Sequence, residues 1–183
     1  MPQSIASHFG LLALVCASSL GLPSCSAEAD IPEVVVTQPE VMFEGVPEIP
    51  GFVTPRELST EFDHPEGFDL PSAFSPELYP LELVVEGRDA MVDLSFIETL
   101  VLTLASRDAQ APAPREMAVY RRGDTTNVGQ RVSIPADRDS DVVEYWDTNR
   151  AYYQLSVTGD LPSEDWGVDV IVKFRGSLSV STH

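Results

Sequence analysis

Lysine is almost missing from this 183-residue chain: ten of its eleven basic side chains are arginine, set against 29 acidic ones for a formal net charge of −18. So acidic a chain repels phosphate, whereas nucleic-acid binding requires clustered Lys and Arg that displace counterions, so DNA and RNA are excluded as partners. Charge-driven adhesion to anionic headgroups is excluded on the same ground. Histidine is scarce too, with three in the chain, and there are two cysteines. No Cys/His set has the spacing that holds zinc, and no Gly-x-Ser-x-Gly nucleophile elbow is present. A Ser/His/Asp site would have to use His64, in the proline-flanked Asp63-His64-Pro65. The sequence therefore reads as non-catalytic, with a hydrolase the least favoured class. Helical 3.6-residue periodicity and internal repeats are absent beyond the first 25 residues.

The longest apolar run is Phe9 to Leu22, FGLLALVCASSLGL, 14 residues without a charge. A helix spanning the hydrocarbon core needs ~20, so this length suits the apolar region of a signal peptide. The run ends in Leu22-Pro23-Ser24-Cys25. An aliphatic residue, a spacer, a small residue and then cysteine resembles the lipobox of bacterial lipoproteins. The resemblance implies cleavage before Cys25 and acylation of its thiol, with two or three chains. Each buried CH₂ contributes ~0.8 kcal/mol, so more than one chain gives lasting attachment to a membrane. Ser26, where an acidic residue would signal inner-membrane retention in enterobacteria, implies the outer membrane. The alternative is ordinary cleavage after Ala27, giving a soluble secreted protein. With Cys16 removed and Cys25 acylated, the mature domain has no disulfide and depends on its core alone.

Charge and proline divide the remainder. Residues 26–100 carry 17 acidic side chains and two arginines, whereas 101–183 carry 12 acidic and nine basic ones. Nine of the 15 prolines lie between Pro32 and Pro80. Proline fixes φ and has no backbone donor, so this stretch is not helical and contributes only edge strands. The expected organisation is a signal peptide over 1–24, an acidic Pro-rich tether over 25–51, and one domain over 52–183 with core strands from about residue 78. Within the tether, Val34–Val36 and Val41–Phe43 are strand-like runs able to dock on the domain. As a tether, the acidic stretch would hold the domain off an anionic membrane.

From residue 78 onward the hydrophobic period is two. Leu81, Leu83 and Val85 alternate with Glu82, Val84 and Glu86, and Leu100, Leu102 and Leu104 form a second set. Tyr153, Leu155 and Val157 form a third. Trp166, Val168, Val170, Val172, Phe174, Leu178 and Val180 all fall on even positions, with a bend expected at Gly176. Strands at this spacing, separated by Gly/Asp/Asn turn clusters, indicate an all-β antiparallel sandwich, either immunoglobulin-like or a jelly-roll variant. Ser95 to Glu98 offers a single helical turn or, more in keeping with its continuation, a strand.

Two groups are candidates for binding. Asp137, Asp139 and Asp141 alternate in one loop and could converge on Ca²⁺, with Glu144 or Asp147 adding oxygens, although Val142 and Thr148 occupy the Gly and Glu positions of an EF-hand. Tyr152 is out of phase with the inward set Tyr153, Leu155 and Val157, and Tyr145 and Trp146, being adjacent, point opposite ways in a strand so that one of them is exposed, which makes Tyr145, Trp146 and Tyr152 the candidates for a glycan platform. The acidic set Glu57, Glu61, Asp63, Glu66 and Asp69, and the tripeptide Arg122-Gly123-Asp124, read as solvated surface. The leading expectation is a lipid-anchored, non-catalytic interaction or structural module of the cell envelope, contacting an envelope protein or glycan. A calcium- or glycan-binding module is the alternative, and an envelope hydrolase the third.

Overall fold

The computed structural model describes residues 26–47, 56–63, 75–88, 92–124, 128–139, 141–145 and 150–181. They form eight strands: β1 Ser26–Phe43, β2 Arg56–Asp63, β3 Ser75–Gly87, β4 Ile97–Ser106, β5 Arg115–Arg121, β6 Arg131–Pro135, β7 Ala151–Gly159 and β8 Trp166–Ser181. Two antiparallel four-stranded sheets result, ordered β1-β8-β3-β6 and β2-β7-β4-β5. Every connection except β4 to β5 crosses from one sheet to the other. This is the double Greek-key wiring of a jelly roll, which decides between the two sandwich variants.

Local alternation produces the inner faces. On β8, Trp166, Val168, Val170, Val172 and Phe174 are buried while Asp169, Lys173 and Arg175 face outward. On the opposite sheet, Leu100, Leu102 and Leu104 of β4 and Tyr153, Leu155 and Val157 of β7 are all buried. Burial of each such side chain contributes ~1.5–3 kcal/mol, which is how the domain stands without crosslinks. β8 runs unbroken through Gly176, which pairs with Ile31 and Leu78. The irregularities expected there lie instead on its neighbours, between Ile31 and Val34 and between Pro80 and Glu82.

The β3 irregularity resets a phase. Leu78 and Pro80 are buried, Leu81 is the extra residue of the bulge, and Leu83 and Val85 then resume the inward set. Pro80 has no N–H to give the ladder, so interruption falls beside it. Val84 is buried as well, on the outer phase, between Ile171 and Ser133.

Residues 26–43, which composition assigns to a tether, are instead an edge strand of the sandwich. Val34 and Val36 pair with Phe174 and Val172, and Val41 and Phe43 with Val168 and Trp166. Pro32 and Pro39 sit at the two register shifts, and Glu40 takes a positive φ of 62°. Prolines, bulges and acidic side chains are what an edge strand uses to refuse further pairing, so the composition of a linker and that of a guarded edge coincide. The exit from β1 is fixed: Glu40 N–H donates to Asp169 Oδ1 at 2.9 Å, Gly45 N–H to Asp165 Oδ1 at 2.8 Å, and Val46 N–H to the Pro162 carbonyl at 2.9 Å.

Leu94–Phe96 form one 3₁₀ turn before β4, capped by Asp93, whose carboxylate accepts the Ser95 N–H at 2.9 Å. Both readings of this segment are thus realised in succession, with Asp93 rather than Ser95 as the cap. Among the described residues no helix is long and apolar enough to cross a membrane.

Candidate functional site

The acidic loop is held by the backbone it caps. Asp141 Oδ1 accepts the N–H groups of Leu78 at 2.9 Å and Val143 at 3.0 Å, and Asp137 Oδ1 accepts that of Asp139 at 3.3 Å. The Asp137 N–H itself donates to the Met117 carbonyl at 2.9 Å. These bonds tie the loop to β3 and β5. Among the described residues no group of three or more His, Cys, Asp or Glu side chains is disposed to hold a metal ion, so Asp137, Asp139 and Asp141 are not brought together as a calcium site. Asp147 lies outside the described residues.

The aromatic trio is dispersed in role. Tyr145, expected as a candidate for exposure, is buried in the 3₁₀ turn Val143–Tyr145 and donates its hydroxyl to the Ala113 carbonyl at 2.7 Å. Burial pushes its phenol above the ordinary value. Trp146 lies outside the described residues, as do Cys25, His64, Glu66, Asp69 and His183. Tyr152 is half-buried on the outer face of β7, with the Arg107 guanidinium 4.5 Å from its ring centroid. Arg107 also bonds Asp63 and approaches Glu61 at 3.5 Å. Its charge is held firmly by the hydrogen bond to Asp63, which raises its pKa. One guanidinium thereby braces the ends of β2, β4 and β7 and covers the Tyr152 ring.

Arg122-Gly123-Asp124 forms an exposed turn after β5. Arg122 donates to the carbonyls of Ser95 at 2.9 Å and Phe96 at 3.1 Å and pairs with Glu98 at 3.5 Å. Gly123 takes φ 104°, and Asp124 accepts the Arg121 N–H at 2.9 Å. Arg122 is thus bonded to the 3₁₀ turn and the start of β4, and Asp124 to its own turn.

Two outer surfaces hold polar groups in order. On β2 and β7, the Gln154 amide donates to Ser59 Oγ at 2.8 Å and Ser156 Oγ lies 3.4 Å from the same oxygen, so an amide and two hydroxyls form a row beside the Tyr152–Arg107 pair. On the other sheet a shallow groove is lined by Leu81, Pro135, Ser133, Glu33, Glu82, Arg138 and Lys173. Lys173, the single lysine of the chain, pairs with Glu82 at 2.7 Å, and Ser133 donates to the same carboxylate. Lys173 and then Ser133 hold the Glu82 carboxyl below its ordinary value, and Glu82 holds the lysine above its own. Sequence reasoning passes over this pair, whose signal is only an odd-position lysine among valines.

Trp166 stacks on Phe43 with centroids 4.3 Å apart and meets Phe96 edge-on at 4.9 Å. Its Nε1 is buried without a hydrogen-bond partner. A comparison with protein-family models gives no match, and neither does one with curated proteins.

Proposed function

We propose that the protein is a lipid-anchored, non-catalytic module of the bacterial cell envelope whose jelly roll makes contacts rather than performs chemistry. The observation that carries the anchoring half is Leu22-Pro23-Ser24-Cys25 at the end of the 14-residue apolar run. Acylation of that thiol supplies the membrane attachment that an acidic surface does not. The contact half is supported by the use made of the polar side chains. Asp141 caps backbone, Arg107 braces strands, Tyr145 ties a turn, and Glu82 is neutralised by Lys173. Groups so engaged stabilise a surface; a general base or nucleophile needs a partner poised for transfer.

Cys25→Ser tests the anchor: the variant is expected in the soluble fraction and the native chain in membranes. Crosslinking in the envelope followed by identification of the neighbours tests the contact. Recovery of one envelope protein in stoichiometric yield supports this reading, and recovery of the protein alone contradicts it.

A second reading, glycan binding, is favoured by the row of Ser59, Gln154 and Ser156 beside Tyr152. Amide and hydroxyl groups in line with an aromatic suit a sugar chain lying across β2 and β7. Retention on immobilised envelope polysaccharide, lost in Gln154→Ala, would establish it.

A further inference from the structure

We infer that the anchor has no spacer, and that the sandwich stands end-on against the lipid surface with the start of β1 and the end of β8 toward the headgroups. The inference rests on acylation of Cys25. β1 begins at Ser26, the residue that follows Cys25 in the chain, and Ser26 is already paired with Ser181. One peptide unit spans ~3.8 Å, so the first rung of the sheet lies within a few ångströms of the acylated residue. A flexible tether would place the domain anywhere within its reach; a paired strand fixes one end.

That end is defined by three strands, since Ser75 of β3 pairs with Ser179 of β8 two residues from the Ser26–Ser181 rung. Its outermost β1–β8 rungs, Ser26 with Ser181 and Ala27 with Val180, contain no charged residue, and Glu28 is the first acid met along β1. In a chain of net charge −18, these two successive rungs add no like charge of their own against the headgroups. The opposite end, where Phe43 meets Trp166 and the 160–165 loop holds Val46, is separated from it by the 16 residues of β8, roughly 50 Å at ~3.3 Å per residue. The acidic stretch accordingly does not lift the domain from the membrane. A partner must be met at the bilayer surface or within one domain length of it.

Full-length chain, exported and acylated, is purified as Ser181→Cys and as Ser163→Cys, each labelled at the new thiol. Cys16 is removed with the signal and Cys25 is blocked by acylation, so each variant has one reactive site. The labelled proteins are incorporated into phosphatidylethanolamine vesicles containing a headgroup-attached quencher. Fluorescence is expected to be lost at position 181 and retained at 163. Ser75→Cys, on the neighbouring strand at the same end, repeats the measurement if the 181 variant misfolds. Retained or equal signals at both ends in protein that floats with the vesicles would overturn the end-on arrangement while leaving the anchor intact. Protein that does not float overturns the acylation reading, and this inference with it.

Discussion

Asp141 holds Leu78 across 63 positions of sequence, its carboxylate accepting the Leu78 backbone N–H at 2.9 Å. A charged acceptor on a backbone donor contributes ~1.5–3 kcal/mol when partly buried, and its loss strands the N–H. Asp141→Ala is expected to lower unfolding free energy by about 2 kcal/mol in urea titration, by the same amount with and without added calcium. A loss seen only in calcium would return this residue to a metal site.

Tyr145 supplies both packing and a hydrogen bond. Tyr145→Phe removes only the bond to Ala113 and should cost ~1 kcal/mol, whereas Tyr145→Ala opens a cavity and should cost ~3–5 kcal/mol. An aromatic kept for ligand contact would leave thermal stability unchanged in both variants.

Gly159 ends β7 with φ 153°, and a Cβ built there would overlap the Phe96 carbonyl oxygen. Gly159→Ala must displace the 3₁₀ turn that leads into β4, so a loss of ~1–3 kcal/mol is expected. Gly123→Ala meets no neighbour within 4 Å and bears only the cost of φ 104°, so it should be the milder of the two in the same melting assay.

The Glu82–Lys173 pair sets part of the pH response. Its carboxyl is held below the ordinary 4.5, so the stability it contributes is present above that value and lost as pH falls through the lowered one. The lysine, raised above 10.5, loses its contribution only as pH rises through that higher value. Glu82→Gln should therefore shrink the drop in urea midpoint between neutral pH and pH ~3. An undiminished drop would assign the acid limb to other carboxylates.

The interior of the sandwich is legible because period two is a local signal. The even positions from Trp166 to Phe174, and the sets on β4 and β7, are buried as the alternation requires. Phase is lost where a residue is inserted, as at Leu81, or where the chain turns, as at Tyr145 in a 3₁₀ segment whose period is three. The choice of jelly roll over immunoglobulin wiring depends on β1 pairing with β8, a contact between the two ends of the domain that no local window contains. The tether reading fails for a related reason, since proline and glutamate guard an edge strand as readily as they solvate a linker. Among the candidate binding groups, the carboxylates and aromatics are visible in sequence, but their partners, Leu78, Ala113 and Arg107, are supplied by other strands.

Acylation of Cys25 is the claim on which the account most depends, and incorporation of labelled palmitate tests it most directly. The native chain expressed in a Gram-negative host is expected to carry the label and to sediment with membranes, while Cys25→Ser carries none and remains soluble. Native chain that is processed and folded yet unlabelled would contradict the account.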